Sequence, residues 1–86
     1  MFYSYAELQD QTCIAYSNVL EDGIVEVSVE RPVDLGFDSA ICVLPAFDWR
    51  DVNGFSADDL SELDSFIHRN APLILRLARE VSKEYA

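Results

Sequence analysis

The chain has 86 residues, half of them hydrophobic, and a formal net charge of −10 at pH 7. This length fits a single domain, 1–86, and the apolar content is typical of a globular fold rather than of a disordered acidic tail. A strongly negative field repels nucleic acid and phospholipid and attracts basic protein surfaces. We therefore expect a protein partner with a basic surface, no direct nucleic-acid binding and no membrane contact.

The charge is unevenly distributed along the chain. Residues 1–65 carry fourteen Asp and Glu against two basic residues. The last twenty-one residues reverse this balance, with two glutamates against four basic residues: Arg69, Arg76, Arg79 and Lys83. Arg76, Arg79 and Lys83 lie along one helix at spacings of three and four, which is also the geometry of a phosphate-contacting ridge. This basic stripe is read as an ordinary solvated helix face, and the alternative that it docks on the acidic part of a second copy leaves a homodimer open.

Targeting signals and cysteines provide little information about function. The amino terminus has neither the basic nor the apolar segment of a signal peptide, and no apolar run approaches 18 residues, so we expect a cytoplasmic protein. Cys13 and Cys42 lie in strand-like segments, and with one histidine they fit no zinc spacing. We expect both to be buried free thiols.

The Asp-Gly dipeptide at 22–23 is the clearest local signal. It favours a tight β-hairpin turn between two β-rich runs. The register that follows places Tyr16 opposite Val29 on the core side of the ribbon. Glu26 and Glu30 then lie on the opposite, water-facing side, where the alternation of side chains requires them.

Two further strand-like segments complete a predicted sheet. Residues 2–8 are expected to pair with 12–16 through a short polar turn. Pro32 should end ladder pairing, after which 39–44 forms a short fourth strand. We predict that 46–55 is a loop.

Helical patterns occupy the rest of the chain. Ser56 is placed to cap a helix, because Asp59 follows it by three residues and acids fill the first turn. Its apolar face comprises Leu60, Leu63, Phe66 and Ile67. Pro72 interrupts the pattern, since proline lacks an amide donor and disfavours helical geometry at Ala71.

A second helix, or a kinked continuation of the first, is expected after the proline, with an apolar face formed by Ile74, Leu77, Ala78, Val81 and Tyr85. Strands followed by helices predict an α+β fold. The expected order is ββββαα, an antiparallel sheet of about four strands with two helices packed on one face.

Catalytic chemistry has few candidates. His68 is the only histidine and follows Asp64 by four residues, which is typical of a helix-surface pair. The three glycines are single turn residues rather than a phosphate-binding loop. Asp58 and Asp59 are explained by helix capping and have no EF-hand spacing around them. We expect no catalytic residue, no cofactor and no metal, and hence no enzyme.

The segment 47–51 is the first candidate contact site. It combines the only tryptophan, Trp49, with Arg50 and the flanking carboxylates of Asp48 and Asp51. Tryptophan and arginine are the commonest interface hot spots. The alternative, equally open, is that Trp49 covers one end of the core.

A second candidate site is a continuous negative surface. Its predicted members, beside Asp48 and Asp51, are Glu21, Asp22, Glu26, Glu30, Asp34 and Asp38. Small acidic proteins can mimic the DNA backbone and occupy the basic groove of a nucleic-acid-binding protein. The alternative is that these acids only provide solubility.

These features predict a non-enzymatic acidic binding protein that inhibits or regulates a basic, nucleic-acid-handling partner. The order of strands before helices is similar to that of several small antitoxins and phage-encoded inhibitors, although the similarity is generic and covers no diagnostic residue. The alternative function is a structural or assembly module that acts through apolar or homo-oligomeric contacts.

Overall fold

A computed structural model describes residues 1–83. One antiparallel sheet of five strands, ordered as in the chain, is followed by one long helix. The elements are β1 Phe2–Glu7, β2 Cys13–Ser17, β3 Val25–Val33, β4 Gly36–Leu44, β5 Asp48–Asn53 and α1 Ala57–Lys83. The predicted α+β class and the order of sheet before helix are confirmed, whereas the predicted four strands and two helices are wrong.

The core lies between α1 and one face of the sheet. On β3 the buried residues Val25, Val27 and Val29 alternate with polar ones, which is the pattern of a sheet with one covered and one open face. The helix supplies the other half of the core from five buried positions: Leu63, Ile67, Ala71, Ile74 and Ala78. Burial of this apolar surface is the main force that holds the helix on the sheet.

The two N-terminal hairpins differ in how well they were predicted. The β1–β2 pairing is confirmed, with its turn closed by a hydrogen bond from the Leu8 amide to the Thr12 carbonyl at 2.8 Å. In the second hairpin, Tyr16 pairs with Val27, so the predicted pairing with Val29 is wrong by two residues. A shift of two keeps every side chain on its predicted face.

Two side-chain hydrogen bonds explain this shift. The Glu26 amide donates to the Ser17 hydroxyl at 2.9 Å, and the Val19 amide donates to the Ser82 hydroxyl of α1 at 2.8 Å. These bonds satisfy amides that a tight two-residue hairpin would pair across the ribbon. The strand ends still meet, because the Leu20 amide donates to the Ile24 carbonyl at 2.8 Å, and the connection between them is the short 3-10 turn Glu21–Gly23, in which Asp22 has a φ of 65°.

The β3–β4 hairpin is longer than predicted. Its ladder runs from Val25 opposite Leu44 to Val33 opposite Gly36, and it passes through Pro32. The prediction that Pro32 ends the ladder is wrong because β2 stops pairing at Glu30. Beyond that point β3 is an edge strand, where a proline is tolerated.

The predicted loop at 46–55 contains β5, which the sequence analysis missed. Trp49 of β5 pairs with Cys42 of β4, and the register shifts between the pairs at Ser39 and Ile41. Charged residues and bulges are typical of edge strands, which must avoid pairing with other chains. They also hide the strand from an analysis based on hydrophobic alternation.

The start of α1 is as predicted and its length is not. Ser56 caps the helix, accepting the Asp59 amide at 3.1 Å while Asp59 accepts the Ser56 amide at 3.0 Å. The helix then continues through Pro72, so the predicted interruption is wrong. Ala71 and Ile74 are buried on either side of the proline, and this packing offsets its cost of about 3 kcal/mol. The predicted role of Tyr85 lies outside the described residues.

Two smaller points concern membranes and thiols. Over residues 1–83, no helix combines the length and apolar character needed to cross a bilayer. Both cysteines are free; Cys42 is buried as predicted, whereas Cys13 is exposed, so its predicted burial is wrong.

Candidate interaction surfaces

The sheet face opposite α1, here called the outward face, is organised in cross-strand rows. The middle row contains Ser4, Ala15, Ser28, Ile41 and Arg50. The row towards the β2–β3 connection contains Phe2, Ser17, Glu26, Val43 and Asp48. The row towards the β3–β4 turn contains Glu7, Cys13, Glu30, Ser39 and Asn53. Small side chains fill the centre of this face, and most of its charge lies in the two flanking rows.

Four carboxylates give the outward face its negative charge: Glu7, Glu26, Glu30 and Asp48. From strand geometry, Glu26 lies about 13 Å from Glu30 along β3 and about 10 Å from Asp48 across two strand spacings. Within residues 1–83 no cation or hydrogen-bond donor pairs with the carboxylates of Glu26, Glu30 or Asp48. Arg50 is the one basic side chain of the described residues in these rows.

The structure divides the predicted negative surface. Glu26, Glu30 and Asp48 lie together on the outward face. Exposed acids at both ends of the sheet stand apart from them: Glu21 and Asp22 in the β2–β3 connection and Asp34 in the β3–β4 turn. Asp51 is exposed on edge strand β5, with a φ of 55°.

Asp38 is not part of the outward surface at all. It pairs with Arg31 on the helix side of the sheet, and the two residues face each other across the β3–β4 ladder. The Arg31 Nη2 atom donates to Asp38 Oδ2 at 2.6 Å and to Asp59 Oδ2 at 3.2 Å. Asp10 approaches Nη1 at 3.8 Å, and the guanidinium stands 4.8 Å from the ring centre of Phe55. We call these five residues the Arg31 cluster.

The Arg31 cluster is held in its charged form. Hydrogen bonding to the Ser56 backbone, and secondly to Arg31, lowers the pKa of Asp59. Hydrogen bonds to Asp38 and Asp59 raise the pKa of Arg31. Gly54 packs directly against the Asp38 carboxylate, and a β-carbon at this position would overlap it. Its φ of +93° also favours glycine. The cluster therefore ties the helix start to the β3–β4 hairpin.

A cavity of about 80 Å³ adjoins the cluster, with Arg31 and Glu62 among its charged walls and Leu63 and Phe66 among its apolar ones. Pockets that enclose small-molecule substrates have volumes of roughly 300–1,000 Å³, so this cavity is too small for one. Over residues 1–83, no three His, Cys, Asp or Glu side chains converge as a metal-ligand set.

Trp49 belongs to a second cluster on the helix side. Its indole Nε1 donates to Asp64 Oδ1 at 3.0 Å, and the other carboxylate oxygen lies 3.3 Å from His68 Nε2. Phe47 stacks on the His68 ring, with the ring centres 3.6 Å apart. Trp49 thus joins β5 to α1. Arg50, the next residue on the strand, lies on the outward face, so the two do not form one anchor.

Cys42 offers no nucleophile in this region. Burial, with smaller contributions from Asp64 and Asp48, raises the pKa of its thiol to about 12. The thiol is therefore protonated at neutral pH, and the thiolate that would act as the nucleophile is not formed.

The sequence analysis missed the tip of the β3–β4 hairpin. The last three pairs of this ladder have no partner strand on either side. Three apolar side chains are exposed around the turn, with Leu35 at 102%, Phe37 at 62% and Val33 at 46% of full exposure. We call residues 33–37 the hairpin tip. The sequence does contain a signal for this tip, because Val33, Leu35 and Phe37 are apolar residues that lie outside every predicted strand and helix.

Comparison with protein-family models, curated proteins and solved structures finds no match for this chain. The functional argument therefore rests on the two clusters, the outward face and the hairpin tip.

Proposed function

We propose that this protein is a non-enzymatic binding protein whose outward face engages a basic, nucleic-acid-handling protein and inhibits or regulates it. One observation carries the proposal: Glu26, Glu30 and Asp48 lie on a face that α1 leaves open, and none of them is paired within the described chain. Unpaired carboxylates on an open face can accept charge-assisted hydrogen bonds from the Arg and Lys side chains of a partner.

The charge pattern favours a basic protein over other partners. The net charge of −10 opposes association with nucleic acid and anionic lipid. A sheet face that carries negative groups about 10 Å apart offers a basic groove a substitute for phosphates. A protein bound there would compete with the nucleic acid that the groove normally holds, which is how inhibition would arise.

Observations on the helix side favour a binding role over catalysis. The cavity beside the Arg31 cluster is too small for a substrate, and the buried thiol of Cys42 is protonated at neutral pH. His68 is already occupied by Asp64 and by the Phe47 ring. These residues connect the helix to the sheet, which is a structural task.

The test reverses charge on the outward face with a matched control. The variant E26K/E30K is compared with E62K/E80K, which changes net charge equally at two exposed positions of α1, away from the outward face. Each protein is immobilised, and partners are captured from a lysate of the source organism at about 0.1 M salt, where the Debye length is about 10 Å. The affinity of an identified partner is then measured at several salt concentrations. Displacement of that partner by duplex DNA is then tested.

We expect the wild type and E62K/E80K to bind a basic nucleic-acid-binding protein that DNA displaces. E26K/E30K should bind at least about 10-fold more weakly and with a flatter salt dependence. Equal affinity of the two variants, or a partner that DNA does not displace, would contradict the proposal.

The hairpin tip favours a second candidate, an assembly module that acts through contacts between copies. Leu35 is fully exposed, and exposed apolar clusters on small proteins often mark interaction sites. The two roles are compatible because the tip lies beyond the rows of the outward face. Sedimentation of the purified protein over a range of concentrations tests this candidate, and a mass that stays monomeric throughout would exclude it.

A further inference from the structure

The hairpin tip is an exposed apolar projection that also carries an acidic residue. Leu35 and Phe37 are exposed on either side of Gly36, and Asp34 completes the turn. The Arg31–Asp38 ion pair, at 2.6 Å, fixes the base of the projection. The β3–β4 ladder already orders the backbone of this projection, so an association that buries Leu35 and Phe37 restricts their side chains without having to order the backbone.

A second exposed patch, on α1, has the opposite charge. Leu73 is 47% exposed, and it follows Arg69 by four residues and precedes Arg76 by three, so the three share one side of the helix. In residues 1–83 Arg69 has no ion pair, and the ion pair of Arg76 is with the exposed Glu80, at 3.5 Å between Nε and Oε1. We call Arg69, Leu73 and Arg76 the basic helix face.

We propose that copies of this chain associate head to tail, with the hairpin tip of one copy on the basic helix face of the next. The contact would bury Leu35 and Phe37 against Leu73 and bring Asp34 between Arg69 and Arg76 of the neighbouring copy. It gives the assembly role a defined interface, rests on that second candidate function, and does not require the outward face.

Charge favours this occupant over the alternatives. A symmetric contact between two tips would place two Asp34 carboxylates together, and like charges across an interface cost free energy. An anionic membrane surface would meet Asp34 on a chain of net charge −10. The basic helix face complements the tip in both polarity and charge, because it offers an apolar side chain to Leu35 and Phe37 and cations to Asp34.

The positions of the two patches lead to an open chain of copies. The tip lies at the end of the sheet where α1 begins, as the contact of Arg31 with Asp59 shows. The basic helix face lies further along α1, towards Ser82, which contacts the opposite end of the sheet. A bound pair therefore keeps one tip and one helix face free. Contacts between two different patches form rings or filaments rather than closed dimers.

The experiment uses sedimentation of the full chain at about 0.15 M salt, where a Debye length of about 8 Å screens the overall repulsion between copies. The tip variant is L35S/F37S and the helix variant is L73S. The control V52S removes another exposed apolar side chain, 41% exposed on β5 and outside both patches. Circular dichroism and the thermal midpoint of each variant confirm that it folds.

We expect the wild type and V52S to form concentration-dependent oligomers. L35S/F37S and L73S should each lower the association constant at least about 10-fold, since each removes one side of the contact. Mixed together they should form dimers and nothing larger, because one intact tip then meets one intact helix face. The charge-reversed variants D34R and R69D/R76D should each assemble weakly alone, and their mixture should again form oligomers larger than dimers, because each tip then meets a helix face of opposite charge.

Three results would overturn the inference: a wild type that stays monomeric, an L73S variant that assembles like the wild type, or binding of the tip to phosphatidylserine vesicles in place of assembly. The variant E26K/E30K separates this inference from the proposal on the outward face. It should lose the basic partner and still assemble, so failure of either proposal leaves a distinct signature.

Discussion

Two groups of carboxylates occupy opposite faces of the same small sheet. On the helix side Asp38, Asp59 and Asp64 each accept hydrogen bonds from a named donor. On the outward face Glu26 and Glu30 have no such donor in the described chain. The two groups look alike in the sequence, so a count of acids does not locate a binding surface. What distinguishes them is whether a hydrogen-bond donor within the protein already pairs with the carboxylate.

The largest expected effect comes from removing the cation that the helix-side acids share. Arg31→Met leaves Asp38 without its partner and breaks the link to Asp59. We expect the free energy of unfolding to fall by about 2–3 kcal/mol, measured by urea denaturation, because the mostly buried Asp38 carboxylate loses its donors. The control Arg50→Met, at an exposed and unpaired site, should change it by less than about 0.5 kcal/mol. Similar losses for both variants would remove the distinction between the two faces.

Gly54→Ala tests how closely the fold surrounds Asp38. Alanine at a φ of +93° is strained, and its β-carbon would displace the carboxylate. We expect a loss of about 2 kcal/mol in unfolding free energy. Gly23→Ala is the matched control, since its φ of +76° is also unfavourable but its surroundings are open. Its loss should be only about 1 kcal/mol, and an equal loss would mean that Asp38 moves aside freely.

Trp49→Phe separates the two roles considered for this side chain. Phenylalanine keeps the aromatic ring but cannot donate to Asp64. We expect a loss of about 1 kcal/mol in thermal or urea unfolding, with the affinity for a partner of the outward face unchanged. Unchanged stability together with weakened binding would instead support a role for Trp49 as a contact residue for the partner.

The smallest effect is expected on the outward face itself. Glu26→Gln with Glu30→Gln removes two charges that stabilise nothing within the described chain. The unfolding free energy should change by less than about 0.5 kcal/mol, with any change at low salt in the stabilising direction because repulsion falls. A loss above about 1 kcal/mol would show that these carboxylates hold the fold after all.

Local signals in the sequence located much of the fold. The Ser56 cap, the first hairpin and the alternation along β3 were all predicted correctly, because each depends on residues close together in the chain. The misses involve distant partners. The register of the second hairpin depends on Ser82, and the continuity of α1 through Pro72 depends on packing against the sheet. No local pattern contains that information.

The site residues follow the same division. Arg31 and Asp38 are equidistant from the turn at Asp34 and Leu35. A prediction that placed a hairpin turn at these two residues would also have paired Arg31 with Asp38 across the ladder. The third partner, Asp59, comes from the helix and no local pattern indicates it. The opposite orientations of Trp49 and Arg50 follow from strand alternation, but only once β5 is known to be a strand.

The order of the strands has a consequence for how quickly the chain finds its structure. Because each strand pairs with its neighbour in sequence, every ladder forms by closing a short loop, and the entropy lost is small. Only the contacts of α1 reach far, such as those of Tyr5 with Asn70 and Val19 with Ser82, which span 65 and 63 residues. We expect the hairpins to form early and the docking of the helix to limit the folding rate, so substitutions at Ile67 or Ile74 should slow refolding more than substitutions in the turns.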